Sequence, residues 1–458
     1  MSTVAVILAA GLGKRMKSTL PKVLHPILGD PSLLWVLRAL PREVDHAVLV
    51  LHHGKAQVEA ELARWQTEGL LPCPVSTVDQ GEPLGTGHAV RAAEAELDRL
   101  GAERLLILCG DVPLIQASTL QELATGPAAL LAMDLEQPGS YGRVLTHADG
   151  TLANMVEFKD ASEAERAIRL VNGGAYALPW IHLKPALRAL SNANAQGEYY
   201  LTDAVVAVAK ATPVKVETCD PAELLGMNSR LDQAELQAIA RERINEAWME
   251  EGVTFLEPGS TLVGPRAVLA PDVLLEPGVR LEGKVTLGTG TRVGQGTVIR
   301  DTELGAEVLI RPYCVIQQSV VGAKVQLGPF AHLREGSVLE DKVHVGNFVE
   351  TKKATLRAGA KANHLSYLGD AEVGERTNIG AGFISCNYDG VKKHRTTIGS
   401  DVFVGSDVQM VAPITIGNDV LIAAGSTITK NVPDGALAVS RAPQVVKEGL
   451  GKRFLGRK

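Results

Sequence analysis

Aromatic side chains make up only 4% of the 458 residues. No stretch approaches the ~18 consecutive apolar residues that mark a membrane span, which excludes a transmembrane helix. The five cysteines (Cys73, Cys109, Cys219, Cys314, Cys386) show no Cys-x-x-Cys pair and no disulfide-like framework, which in a chain this size indicates a reducing compartment. A net charge of −6 leaves no global basic field to draw nucleic acid or an acidic membrane. Any anionic substrate must be held by local cations. The opening MSTVAVILAAGLGKRM resembles a secretory leader only superficially, because its apolar run is short, lacks a basic lead-in and is followed by Gly and basic residues. A soluble, cytoplasmic protein without nucleic-acid or membrane partners is expected.

Apolar residues (45%) and charged residues (21%) are at globular levels, and the length exceeds what one hydrophobic core serves. Scarce aromatics beside 46 glycines suit a narrow, repeated cross-section filled by small aliphatics with Gly at its corners.

Two halves follow different rules. In the first, strand-like runs at Val4–Leu8, Ala47–Leu51 and Leu105–Leu108 alternate with helical stretches such as Lys55–Trp65. That alternation predicts an α/β, Rossmann-like domain with a largely parallel sheet and ligands at the carboxyl ends of its strands. In the second, an aliphatic residue recurs every six positions: Val263, Leu269, Leu275, Leu281, Leu287, Val293, Ile299. After slips the pattern resumes at Leu304, Ile310, Ile316, at Val321 to Val345, and at Ile398 to Ile428. Neither a helix nor an ordinary strand sustains that period; a parallel β-helix, three hexapeptides per coil, does. Ser229–Glu251, rich in Ala, Leu, Glu and Arg without Pro or Gly, reads as a connecting helix with Asp232 near its start. The expected layout is 1–229, a linker helix 230–251, and a left-handed β-helix 252–458. The basic tail (Lys447, Lys452, Arg453, Arg457, Lys458) reads as a frayed end with a minor chance of touching phosphate.

Leu8, Ala9, Ala10, Gly11 and Gly13 form a Gly-rich turn after the first strand, which frees backbone N–H groups for phosphates and base. Arg15 and Lys22 supply positive charge for phosphoryl chemistry. This turn alone is neither a full dinucleotide fingerprint nor a Walker loop. It resembles the signature of sugar-nucleotide pyrophosphorylases, with Lys14 where that signature has Thr. Further matches are Gln80, Leu84-Gly85-Thr86-Gly87, Gly110-Asp111, Tyr141-Gly142-Arg143, Glu157, Asn172-Gly173-Gly174 and Gly226-Met227-Asn228. Asp111, after a strand, suits Mg²⁺, which takes few protein oxygens, although a lone Asp there is more often a cap or turn residue. The resemblance gives Asn228 as the second ligand. Gln80, Gly85 and Thr86 suit the base edge, while Glu157 and Asn172 suit sugar hydroxyls and an acetamido group.

Where the hexapeptide rule fails, two interruptions are expected: Glu350–Leu368 and Ser385–Thr397. The first holds Lys352, His364 and Tyr367, and His364 is the obvious base for an amine near neutral pH. These stretches, with Asn378-Ile379-Gly380-Ala381-Gly382 and Cys386-Asn387-Tyr388-Asp389-Gly390, resemble the bifunctional N-acetylglucosamine-1-phosphate uridyltransferase/glucosamine-1-phosphate N-acetyltransferase family over nearly the whole chain. The resemblance implies acetyl-CoA-dependent acetylation of glucosamine-1-phosphate, then Mg²⁺-dependent coupling of N-acetylglucosamine-1-phosphate to UTP. It implies His364 as proton acceptor, a sugar-phosphate site of Arg334, Lys352, Tyr367 and Asn378, and an acetyl-CoA groove of Ala381, Asn387, Tyr388, Ser406, Ala424 and Arg441. It also implies a homotrimer. Glu350 is the expected orienting partner of His364. Glu335 and Phe383 depart from the family's Pro and Thr, and Cys386 is assigned no chemistry. The main rival is a sugar-1-phosphate nucleotidyltransferase whose β-helix serves only assembly or regulation.

Overall fold

The computed structural model describes residues 2–456; of the basic tail, Arg457 and Lys458 lie outside the described residues. The chain divides into two compact units, Met1–Ala240 and Arg241–Lys458.

In the first unit, β1 (Thr3–Leu8) lies between β2 (Val44–Leu51) and β4 (Arg104–Cys109), parallel to both. Its run Val4 to Ile7 is fully buried, as a strand covered on both faces must be. β3 (Val75–Asp79) extends this side of the sheet beyond β2. On the other side come β8 (Leu170–Pro179), β5 (Ala129–Asp134) and β9 (Lys215–Thr218). β8 runs antiparallel to both β4 and β5 and is the one reversed strand among the seven in this row. The hairpin β6 (Arg143–Thr146) and β7 (Leu152–Val156) branches from β8 and completes nine strands.

One continuous helix, Arg230–Glu250, follows. Its start is fixed reciprocally: the Asp232 carboxylate accepts from the Asn228 and Ser229 amides (2.8 and 2.9 Å), and the Asp232 amide donates to the Ser229 hydroxyl.

The second unit is a parallel β-helix of three sheets with 11, 10 and 9 strands. The hexapeptide aliphatics stack inward; one ladder runs Leu275, Val293, Ile310, Leu327, Val345, Ala362, Ile379, Val404, Ile422. The first expected interruption is absent. Glu350–Lys352, Thr355–Leu356, Lys361–His364 and Tyr367–Gly369 are regular coil strands. Their inward positions are Thr351, Leu356, Ala362 and Leu368, all fully buried. Thr351 and Ala362 conceal the pattern because neither reads as a large aliphatic; the buried Thr351 hydroxyl is satisfied by Ser337 at 2.8 Å. The second interruption is real and compact, a hairpin with an antiparallel Tyr388–Lys393 bridge. Coils sit so close that a Cβ at Gly346 would lie 1.9 Å from the Asn363 carbonyl oxygen. The tail is irregular up to Glu448 and then forms the short helix Leu450–Phe454, which buries none of its residues.

Candidate functional sites

At the carboxyl ends of β1 and β4 the first unit opens a cavity of about 310 Å³. Its floor is Leu8, Ala9, Ala10 and Gly11, and its sides include Gln80, Gly85, Thr86 and Asp111. Gly13 has φ 57°, and a Cβ there would lie 3.0 Å from Lys22 Cβ, so the lysine stem runs along the glycine turn. The Lys22 ammonium bonds the Asp111 carboxylate and, at 3.2 Å, Asn228 Oδ1. Asn228 comes from far along the chain because the Met227 amide donates to the Asp111 carbonyl (2.8 Å) and Asp232 caps the next helix. One carboxylate and one amide oxygen thus converge on a single cation position, and both side chains of the Lys22–Asp111 pair are largely shielded. Two hard oxygen donors fit Mg²⁺, which keeps its remaining positions for water and phosphate. They do not fit a softer metal, and among the described residues no cluster of three His, Cys, Asp or Glu side chains could hold one.

Gln80 is buried and donates to the Gly85 carbonyl (3.0 Å), shaping that turn. Gly85, at φ 110°, passes so close to Tyr199 that a Cβ would lie 2.7 Å from its carbonyl oxygen. The Thr86 hydroxyl accepts from the Leu201 amide. Gly110 continues β4, its amide donating to the Leu8 carbonyl. Gly142, Glu157 and Asn172 meet where β6, β7 and β8 join: the Asn172 amide bonds the Gly142 carbonyl (2.9 Å), and a Cβ at Gly142 would lie 3.4 Å from Glu157. Burial pushes the Glu157 carboxyl above its ordinary range, opposed by a hydrogen bond from the Thr202 hydroxyl. The Asn172 side chain is committed to Tyr176 and the Gly174 amide. Arg15 sits exposed in a single 3₁₀ turn, Lys14–Met16.

In the second unit, cross-coil pairing sets Asn347 beside His364. The His364 Nδ1 bonds Asn347 Oδ1 at 2.7 Å. Glu350, expected there, instead accepts from Arg334 at 2.8 Å, and Asn347 orients the imidazole. Lys352 pairs with Glu335 at 2.8 Å, which gives the departure at 335 a structural consequence. The other departure, Phe383, is fully buried in the β-helix core. Glu350 and Tyr367 are cross-coil neighbours on the face that carries Arg334 and Lys352, while Asn378 lies on the sheet that carries Lys361.

Backbone bonds at one corner tie successive coils: Leu365 N to Asn347 O, Asp407 N to Ala381 O, and Gly425 N to Ser406 O. The same corner position is therefore held by Asn347, His364, Ala381, Ser406 and Ala424, and the Arg441 guanidinium closes the row on the Ala424 carbonyl at 2.7 Å. The Asn387 amide reaches Asp370 at 2.6 Å, and Tyr388 is exposed. Sequence reasoning missed Asn347 as a functional residue, although it lies inside the stretch that carried the resemblance.

Residues 5–172 match the MobA-like NTP transferase domain, 259–357 the GMPPB C-terminal domain, and 395–430 the bacterial transferase hexapeptide (six repeats). The "Bifunctional protein GlmU" of Pelobacter propionicus is 45% identical over 97% of both chains, and that of Geotalea uraniireducens 44% over 97% of this chain and 98% of its own. A solved UDP-glucose pyrophosphorylase complexed with UDP-glucose covers 53% of this chain and 100% of its own at 19% identity and TM-score 0.43, too loose to bear on this chain. With the full-length relatives spanning both units, the chain belongs to the bifunctional GlmU family.

Proposed function

We infer that the second unit acetylates glucosamine-1-phosphate with acetyl-CoA and the first then joins the product to UTP, yielding UDP-N-acetylglucosamine and pyrophosphate. The observation that carries this reading is the corner row from His364 to Ala424, an edge with a base at one end and small residues along it. A β-helix kept only for assembly has no use for such an edge.

For acetyl transfer, Asn347 Oδ1 accepts from His364 Nδ1, so Nε2 keeps its lone pair. His364 Nε2 takes a proton from the amino group as the new N–C bond forms, and the thioester C–S bond breaks to release CoA. Arg334, Lys352, Tyr367 and Asn378 hold the sugar phosphate. Ala381, Ser406, Ala424 and Arg441 line the acetyl-CoA groove, with Asn387 and Tyr388 at its side.

For uridylyl transfer, Asp111 and Asn228 would hold Mg²⁺, which supplies charge neutralisation at the phosphates. A sugar-phosphate oxygen attacks the α-phosphorus in line and pyrophosphate leaves, with no covalent enzyme intermediate. Lys22 and Arg15 offset the negative charge that develops. Gln80, Gly85 and Thr86 face the base, and Gly142, Glu157 and Asn172 the sugar.

The working divisions are 1–229, 230–251 and 252–458. A homotrimer in the cytoplasm completes the reading. Self-association is supported by three stacked rings on one edge, Tyr313, Phe330 and Phe348, with centroids 5.4 and 5.2 Å apart, about half exposed. Compartment is supported by five free cysteines. Among the described residues, no helix is long and apolar enough to cross a membrane.

Mass spectrometry of mixtures of glucosamine-1-phosphate, acetyl-CoA, UTP and Mg²⁺, each omitted in turn, tests the sequence of steps. N-acetylglucosamine-1-phosphate accumulating without UTP, and UDP-N-acetylglucosamine from the full mixture, is expected. Uridylylation without any acetylation would reduce the β-helix to an assembly module. Light scattering with a mass below three chains would exclude the trimer.

A further inference from the structure

The hairpin between Ser385 and Ile398 is the one place in this stretch where the coil register breaks, and it is internally fastened. The Asp389 carboxylate accepts from the Val391 amide (2.8 Å) and the Lys392 amide (2.6 Å) through one oxygen and from His394 Nε2 (2.6 Å) through the other. The Asp389 amide donates to the Lys392 carbonyl, and the His394 amide donates to the Asn387 carbonyl at 2.7 Å. The Tyr388 hydroxyl donates to the Gly390 carbonyl. At the hairpin's base both strands meet Asp370: Asn387 Nδ2 reaches its carboxylate and the Thr396 amide its carbonyl.

A nine-residue excursion with Gly, Val and two lysines at its tip has few apolar contacts to hold it, and Val391 is 81% exposed. Two of the three donors on the half-exposed carboxylate, the Val391 and Lys392 amides, make an ordinary Asx turn; the third, His394 on the returning strand, is what fastens the hairpin across. The hydrogen bonds, first that from the Lys392 amide and then that from His394, hold the Asp389 carboxyl far below its usual range.

We propose that Asp389 and His394 form a positioning clasp that fixes the hairpin so that Asn387 and Tyr388 stand ready for acetyl-CoA. The proposal rests on the reading that those two residues line the acetyl-CoA groove. Neither clasp residue is among those assigned to the acetyl-CoA groove. Asp389 sets the tip, His394 ties the returning strand to it, and Asn387 transmits the constraint to Asp370. A ligand meeting a loop already in its bound form avoids the ordering cost that a loose loop imposes.

The test is steady-state kinetics with tryptic nicking after Lys392 and Lys393. Asp389→Ala should raise KM for acetyl-CoA about tenfold, leave kcat and KM for glucosamine-1-phosphate within about twofold, and leave uridylyl transfer unchanged. Nicking should accelerate in the same variant. His394→Ala should behave alike, and His394→Gln, which restores a donor, should recover most of the affinity. Unchanged acetyl-CoA KM in Asp389→Ala, with Asn387→Ala and Tyr388→Ala both raising it, overturns the clasp alone. Unchanged KM in Asn387→Ala and Tyr388→Ala overturns the groove assignment and the proposal with it. An equal rise in both substrates' KM, or unchanged nicking, also overturns the clasp.

Discussion

Lys22 places its ammonium on the Asp111 carboxylate, with Asn228 Oδ1 3.2 Å away on the same nitrogen. The lysine thus occupies the position where those two oxygens would meet Mg²⁺, and its stem lies along the glycine turn where phosphates would enter. The ammonium competes electrostatically with a divalent cation for the Asp111 carboxylate and Asn228 Oδ1, so the metal would bind more tightly if Lys22 turned toward the nucleotide phosphates. Replacing Lys22 by Met should strengthen Mn²⁺ binding in the absence of nucleotide, read by electron paramagnetic resonance or calorimetry. It should also cut uridylyl transfer by about 10²-fold or more, because charge neutralisation at phosphorus is lost. Weaker or unchanged Mn²⁺ binding would show that lysine and metal do not compete.

The Asn347–His364 bond predicts a split between activities. Asn347→Ala frees the imidazole to rotate and exchange tautomers, and should lower kcat for acetylation by about tenfold or more. His364→Ala should cost about 10²–10⁴-fold, the range of a lost general base. Both should leave uridylyl transfer intact. Loss of both activities from a folded His364 variant would contradict two independent sites. Glu350→Gln should act differently, through Arg334 and the KM for the sugar phosphate.

Several of these relations were legible in sequence and several were not, for physical reasons. Short aliphatic runs gave away β1, β2 and β4, because a strand buried on both faces needs little else. The hexapeptide rule exposed the β-helix wherever the inward residue was large. It broke at Thr351 and Ala362, where a small or polar side chain fills the same inward place, so regular coils looked like a loop. The reversed strand β8 carries no pattern that distinguishes it from a parallel neighbour. Asn347 was overlooked because neighbours on adjacent coils are a full turn apart in sequence; the pairing of His344 with Lys361 is what brings it to His364. Glu350 was favoured on charge alone, and cross-coil geometry gives it to Arg334. The pairing of Asn228 with Asp111 came from resemblance, since no spacing rule links residues so distant, and nothing in the sequence places the Lys22 ammonium on both.

Glu335 neutralises Lys352 at 2.8 Å, and the lysine in turn holds that carboxyl below its usual range. On the proposed sugar-phosphate site, an incoming phosphate would compete with that carboxylate for Lys352. Glu335→Gln should therefore lower KM for glucosamine-1-phosphate by a few-fold, the modest size expected of an exposed ion pair. Fold stability should scarcely change. A raised KM would instead mean that Glu335 holds Lys352 in its working place.

Close coil packing makes Gly346 a stability test. Alanine there would bring a methyl to 1.9 Å from the Asn363 carbonyl oxygen, which is backbone and cannot move aside without opening the coil. Gly346→Ala should cost about 1–3 kcal/mol or more, as overpacked sites do. Thermal unfolding should show the loss, and acetylation should fall with it because Asn347 is the next residue. A variant with the parent's melting temperature would mean that the coils are looser than this spacing.

Glu157 gives a pH test with a definite sign. Burial raises its carboxyl above the ordinary 4.5, so the folded protein holds that proton more tightly than the unfolded chain does. Below 4.5 the group is protonated in both states and contributes no penalty. As pH rises through the unfolded value toward the raised one, the unfolded chain ionises first and stability falls; above the raised value the penalty is complete. Glu157→Gln keeps a partner for the Thr202 hydroxyl and removes the buried charge. It should raise the melting temperature at pH 7 but not at pH 4, and weaken uridylyl transfer through the sugar KM. A variant less stable at pH 7 than the parent would mean that the ionised carboxylate is a net stabiliser, its hydrogen bond outweighing the cost of burial.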